Sequence, residues 1–416
     1  MAAVIQSLKR FSQVWYIGYS AQGGVSLGLA PIFLPIVVAS YTGASEAGLI
    51  IAIFYFAQML APFWGWLSDR LNCHRGVFIT SYILVGLGVG LFPLIPDMSY
   101  WFVMSFILGL GIGASNTLAE MYIIEFQPKN EWDDRIGWLQ MFFGVGQAVG
   151  LYLAFFLAHD ANLGLYVAGL LMIPSLVVGL IQLPHVEKRQ PVKRDEHKPG
   201  PTTSRSIAAL SRHMHQLQHI VRKFPQAIHS LFMLYMVAWI AIMLGNWLIY
   251  NLYPLLMNSV FHLHASSSSL YFAIGSTIAV PACPIAGWLA NKIGEGSVMI
   301  IGILMSLVAS LGMFLLACYP IPADVYLVPI TFMFLPVAWS PLIIVGTAIV
   351  TKLTNLTEGE AIGLFTAATA MSSLFAALAA GFLADNLGFI YVLLLSAFFT
   401  VASLILMLIL LSKARV

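Results

Sequence analysis

The chain has 416 residues, of which 60% are hydrophobic and 9% charged, with a formal net charge of +2 and a mean hydropathy of +0.90. A soluble globular chain of this size needs far more polar surface, whereas helices that face lipid need none. The composition excludes a water-soluble domain and specifies a polytopic helical membrane protein, with no nucleic-acid partner expected.

Lys9 and Arg10 precede the first apolar run, which is too long, and too polar at Gln22, for a secretory signal, so it is read as a retained span. At about 20 apolar residues per crossing, six spans are predicted at 14–40, 46–68, 76–95, 100–125, 135–158 and 161–182. Six more are predicted at 229–257, 266–290, 297–319, 323–350, 361–384 and 388–411. The expected organisation is thus an N-terminal six-helix bundle (1–182), a basic linker (183–228) and a C-terminal six-helix bundle (229–416).

Charge segregates with this topology. All 19 Lys and Arg fall on one side, and Glu46, Asp97, Asp160, Asp324 and Asp385 occupy loops on the other. The positive-inside rule then puts both termini in the cytoplasm of a multi-pass plasma-membrane protein, which in a bacterium is the cell inner membrane. On this topology the sequon Asn355-Leu356-Thr357 is cytoplasmic and unglycosylated.

The linker combines Pro184, Pro191, Pro199 and Pro201 with dense basic residues, followed by a stretch at 207–224 that reads as a helix lying on the anionic inner leaflet. His213, His215 and His219 lie there, but no acidic or thiol ligand accompanies them, and a basic surface helix is the simpler reading. Cys73, Cys283 and Cys318 fit no ligand spacing and read as small packing residues. No metal site or cofactor is expected.

Two turns repeat. Gly65-Trp66-Leu67-Ser68-Asp69-Arg70-Leu71-Asn72-Cys73-His74-Arg75 has a counterpart in Gly287-Trp288-Leu289-Ala290-Asn291-Lys292-Ile293-Gly294. Asp134-Arg135-Ile136-Gly137 opens span five much as Glu360-Ala361-Ile362-Gly363 opens span eleven. Matching turns at matching positions indicate a six-plus-six repeat.

The first turn resembles the loop between the second and third helices of the major facilitator superfamily, with Asn291 where the second copy often carries an acid. The resemblance implies twelve transmembrane helices in two bundles and a secondary transporter working by alternating access. Tyr122, Glu125, Pro128, Arg135 and Gly137 resemble the sugar-porter branch, with a longer gap between Pro128 and Arg135. Gln140 and Gln147 stand in place of that branch's span-five glutamine, and Asn246, Tyr250 and Asn251 in place of its span-seven pair. The resemblance also implies a cytoplasmic latch of Gly65, Asp69, Arg70 and Arg75 with Glu125 and Arg135. In this family spans one, four, seven and ten line the cavity. Carried over, that rule offers Tyr19, Gln22, Ser26, Asn116, Asn246, Tyr250 and Trp339 to a substrate, with Trp239, Tyr253 and Thr347 nearby.

An ionisable group inside lipid is costly, so those that remain are functional candidates. No Lys or Arg falls in a span interior, and the one deeply placed acid is Glu120. The missing cations argue against phosphorylated or polycarboxylate substrates and favour neutral, zwitterionic or cationic ones. Glu120 has two readings: a carboxyl that loads and releases a proton, or a deeper member of the Arg70 or Arg75 latch. There is no phosphate-binding loop, nucleophile with a base, or metal cluster, so neither an ATP-driven pump nor an enzyme is expected. The expected partners are a small-molecule substrate, protons and lipid, with the chain acting as a monomer. The alternatives are an exporter of drugs or siderophore-like metabolites and a membrane sensor with 183–228 as its output.

Overall fold

The computed structural model describes residues 13–60, 63, 64, 67, 68, 73–126, 132–183, 231–319, 324–353 and 358–414. Six helices form the first half: α1 (Tyr16–Tyr41), α2 (Ala44–Gln58), α3 (His74–Gly90), α4 (Met98–Phe126), α5 (Trp132–Leu157) and α6 (Ala161–Gln182). The second half has α7, in the pieces Leu231–Tyr250 and Tyr253–Phe261, then α8 (Ala265–Ile293), α9 (Glu295–Cys318), α10 (Asp324–Leu353), α11 (Glu358–Asn386) and α12 (Phe389–Ala414). Among the described residues, 11 helices are long and apolar enough to cross a membrane. The exception is α2, whose described helix of 15 residues stops short of the predicted 46–68, although 63, 64, 67 and 68 are also helical. The twelve-helix, two-bundle fold class read from the sequence is the observed one.

Successive helices run in opposite directions, so described charges sort to two ends. Arg75, Arg135, Lys292, Lys352 and Lys413 mark a basic end, and Glu46, Asp97, Asp160 and Asp385 an acidic end. The first-half helices pack on one another, as do the second-half helices, and the halves meet mainly where α2 packs on α11 and α5 on α8.

Two helices are interrupted, each for a proline. Pro31 has no N–H to give the carbonyl four residues back, and α1 accommodates this with a π-helical segment at Gly24–Leu29. Pro254 likewise cannot donate to the carbonyl of Tyr250, and α7 breaks at Asn251 and Leu252 before resuming at Tyr253.

The crossing of α1 on α5 is made of glycines. A Cβ on Gly146 would overlap the carbonyl oxygen of Ser20, and one on Gly150 would overlap that of Gly24, so the two backbones are in direct contact. Hydroxyls join other helices: Ser105 Oγ donates to the Ile50 carbonyl at 2.8 Å, Ser396 Oγ to Gly245 at 2.7 Å and Ser403 Oγ to Ala238 at 2.8 Å. Large apolar side chains such as Ile173, Ile181, Phe398 and Ile405 are exposed on the outer faces, where lipid would cover them.

Gly150→Val should lower the thermal midpoint of the purified protein, at a cost of about 1–3 kcal/mol from overpacking. Gly137→Ala should not, because nothing lies within 4 Å of a Cβ there. Melting curves in detergent check both; equal effects would mean that α1 and α5 do not pack backbone to backbone.

Candidate functional site

At the acidic end the halves are pinned together. The Asp385 carboxylate, at the end of α11, accepts from the backbone N–H of Ala44 at 3.0 Å and of Ser45 at 2.7 Å, the first residues of α2. An α-helix N-terminus carries unpaired N–H groups and partial positive charge, and an anion from the opposite half satisfies both. Ser45 Oγ adds a bond to the Gly381 carbonyl at 3.3 Å. One turn along, Gly48 and Gly381 bring α2 and α11 so close that a Cβ on either would strike the other backbone.

The basic end is parted. Gly137, Gln140 and Gly144 share one face of α5. At Gly144 that face meets Val280 of α8, with a Cβ position 3.6 Å from its Cγ2. About two turns nearer the basic end, a Cβ on Gly137 would meet nothing within 4 Å, and neither would one on Gly287 of α8. Gln140, between them, is exposed together with Glu120 of α4. The α5–α8 seam is therefore closed in its middle and splayed towards the basic end.

Midway, the first half presents a polar cluster. Asn116 Oδ1 on α4 accepts from Tyr19 Oη at 3.1 Å and from Gln22 Nε2 at 3.0 Å, both on α1. Gln140 Nε2 on α5 donates to Glu120 Oε1 at 3.2 Å. The helical spacing of Tyr19 with Gln22, and of Asn116 with Glu120, turns each pair to one face. Gln22 is fully buried, yet its Oε1 has no partner. Ser26 lies one turn further, inside the π-helical segment, buried and with its hydroxyl unpartnered; it does not bond to the cluster.

The second half presents an aromatic wall. Tyr250 and Trp339, both half-buried, are joined through Trp247, whose ring lies 5.7 Å from Tyr250 and 6.0 Å from Trp339. Trp247 also meets Tyr55 of α2 at 5.3 Å, across the boundary between the halves. Asn246 is buried, with neither amide atom partnered. Tyr253 instead stacks on Phe332 at 4.0 Å and donates to the Ser268 carbonyl at 2.9 Å. Trp239 donates to Thr369 at 2.9 Å and packs on Phe365. Those two serve the packing of the second half. Tyr55 and Trp247 join the site although the sequence reading did not select them, and Gln140, one of the two stand-ins for the span-five glutamine, holds Glu120; Trp247 sits three residues before Tyr250, a spacing that could have flagged it.

The latch lies mostly outside the described residues: Gly65, Asp69 and Arg70 do, as does the Glu125 side chain. Arg75 donates from Nη2 to the Leu180 carbonyl on α6. The Arg135 carbonyl accepts from Tyr16 Oη at 3.4 Å. Glu120 pairs with Gln140, and no bond from Glu120 to Arg75 is present. In the second half Lys352 pairs with Glu295 at 2.7 Å, tying α10 to α9 at the basic end. Among the described residues no three His, Cys, Asp or Glu side chains group as a metal site.

A sequence model of the Major Facilitator Superfamily matches residues 16–343. The chain is 25% identical over 187 residues to the putative metabolite transport protein YwtG of Bacillus subtilis, covering 42% of this chain and 40% of that one. It is 28% identical over 113 residues to the niacin transporter NiaP of Acinetobacter baylyi, covering 27% of this chain and 26% of that one. The matched stretches thus span less than half of either relative. The fold superposes on the crystal structure of a D-xylose-proton symporter with a TM-score of 0.71 at 14% identity, covering 97% of each chain.

Asn116 is the hub of the polar cluster. Asn116→Leu should destabilise the protein by about 1–3 kcal/mol, because the Gln22 amide loses its acceptor while still buried. Adding Gln22→Met and Tyr19→Phe should recover part of that loss in melting curves. A strictly additive series would mean that the three side chains form no network.

Proposed function

Because this chain belongs to the Major Facilitator Superfamily, as the match over residues 16–343 establishes, we propose that it moves a small neutral, zwitterionic or cationic organic solute across the membrane by alternating access, with a proton carried on Glu120. One observation carries this reading: the halves are pinned at the acidic end by Asp385 and parted at the basic end, beside an exposed Glu120. An arrangement closed at one end and open at the other is one of the two states that alternating access requires.

The basic end is the cytoplasmic one by the positive-inside rule, which makes this an inward-open state of a plasma-membrane protein with both termini inside. Residues 1–182 and 229–416 act as the two rocking halves, with 183–228 as a cytoplasmic linker lying on anionic lipid. One chain supplies both walls of the cavity, so a monomer suffices. Reversing the state requires the Asp385 cap to break. The Asp385 side chain is exposed to solvent, so each bond is worth on the order of 1 kcal/mol after screening. A gate that weak can be opened by the differential binding of one solute. Breaking it would let Gly65, Asp69, Arg70 and Arg75 close on Glu125 and Arg135 at the other end.

Glu120 gives the proton a place in this cycle. An ionised carboxylate is tolerable while the cavity is open to water and costly once the cavity closes over it, whereas the neutral acid encloses far more cheaply. Closure at the basic end therefore selects protein that carries the proton, and opening releases it. Gln140 holds the carboxylate beside Asn116 and Tyr19, where solute and proton would influence each other. The names of the relatives do not extend to a substrate here, since the aligned stretches are partial.

Asp385→Ala should bias the protein towards opening at the acidic end. Spin labels at the exposed positions Tyr41 and Leu387, one in each half, should report a longer mean distance than in the native chain; an unchanged distance would remove Asp385 from the gate. Glu120→Gln in liposomes, with an internal pH dye and a library of neutral and cationic metabolites, tests coupling. The expected result is solute-driven proton movement in the native protein and none in the variant; equal proton movement in both would release Glu120 from that role.

A further inference from the structure

The Asp385 cap sits beside a second carboxylate. A Cβ on Gly43 would lie 2.9 Å from Asp385 Oδ2 and 3.0 Å from Glu46 Oε2, so these two oxygens are within about 6 Å of each other. Asp385 belongs to α11 and Glu46 to the first turn of α2, which places like charges on opposite halves across the rim of one seam. Among the described residues no Lys or Arg pairs with either carboxylate.

The local sequence explains why both acids gather there. The N-cap of α2 is Gly43, which has no side chain with which to hold the first N–H groups of the helix. Thr42 Oγ1 is turned back to the Val38 carbonyl at the end of α1, and Ser45 Oγ is engaged by Gly381. Two anions are left to answer the positive start of α2. Glu46 is the third residue of that helix, the position from which a capping-box acid folds back; Asp385 arrives only with the other half. Asp385 takes the bonds, from Ala44 and Ser45, and Glu46 does not.

Glu46 accompanies the positive end of α2 whether or not the halves meet, so its attraction to that end favours neither state. Its repulsion of Asp385 exists only when they meet. Two unit charges about 6 Å apart in water-like surroundings shift an equilibrium by about threefold at low salt, and by very little at 1 M, where the Debye length is about 3 Å.

We infer that Glu46 is a gating residue of the acidic end: it sets the strength of the Asp385 cap by opposing it, and it leaves the start of α2 with an anion of its own when Asp385 departs. This inference rests on the reading of Asp385 as a gate and goes beyond it by assigning the residue that works against closure. A cap made by two backbone bonds and weakened by a built-in repulsion closes the acidic end without holding it permanently.

The Ala44 and Ser45 amides are the first two of α2 and have no partner within the helix, so Asp385 alone protects them from exchange with solvent. The test is millisecond hydrogen exchange at these two amides, on the full chain in lipid nanodiscs. Protection is the slowing of exchange relative to Asp385→Ala with the same residue at position 46, which cancels any effect of Glu46 on the exchange chemistry itself. Glu46→Gln should raise that protection about threefold at low salt, and the gain should vanish at 1 M salt. Protection that stays the same or falls in Glu46→Gln, or a gain that persists undiminished at 1 M salt, would overturn the inference. The spin-label distance between Tyr41 and Leu387 separates this from the gate reading. A distance that lengthens in Asp385→Ala, with no gain of protection in Glu46→Gln, would keep the gate and sink the role of Glu46. The expected gain with an unchanged distance would keep the opposition of Glu46 to the cap and sink the gate.

Discussion

Lipid offers no hydrogen bonds, and that constraint governs this molecule from end to end. A helix that crosses the membrane must satisfy its own backbone, and whatever it leaves unsatisfied must be met by another helix or by a ligand. Most of the chain obeys by the simplest route: long unbroken helices, with hydroxyls turned back onto carbonyls of their own or a neighbouring turn, as Thr277, Ser372 and Ser373 do. Some of the departures lie at breaks in the helices. The π-helical segment of α1 follows Gln22, the break in α7 follows Tyr250, and the orphaned atoms of Gln22, Asn246 and Trp247 lie beside these interruptions. Helices broken in mid-membrane are tolerated where they line protein or a cavity.

The same constraint explains how the halves can be rigid within and loose between. Inside the first half, the glycine contacts of α1 with α5 bring backbones together over several turns. Between the halves, glycines bring backbones together at the acidic end of the α2–α11 seam, and the Asp385 cap adds directional bonds at the rim. The α5–α8 seam relies on side-chain contact at Gly144 and opens beyond it. A joint that is tight at one end and open at the other permits a rocking motion with little rearrangement inside either half.

Much of the architecture was legible in the sequence because it follows from one-dimensional properties. Apolar run length gave the spans, and alternating loop charge gave a consistent order for them. Tyr19, Gln22 and Asn116 could be grouped because helical spacing fixes which side chains share a face, and all three do meet. Asp385 was legible only as a loop charge. Its role depends on a contact 341 residues away in sequence, and nothing local distinguishes a carboxylate that caps a distant helix from one that faces water. Trp247 was hidden for a related reason: choosing a cavity face from spacing alone leaves a rotational uncertainty of about one residue, enough to select Asn246 and pass over its neighbour. The break in α7 could have been read from Pro254, since its effect is local.

The magnitudes fit a transporter better than a static scaffold. The cap at Asp385 consists of two charge-assisted bonds to an exposed carboxylate, which in the proposed cycle would bias the equilibrium without locking it. On the proposed reading, a solute held between the two halves would gain its bonds only when both close on it. A proton on Glu120, in the proposed cycle, would add a second condition of the same type, because enclosing a carboxylate is cheap only when it is neutral. Solute and proton would be coupled through their common need to be present when the cavity closes, with no direct bond between them.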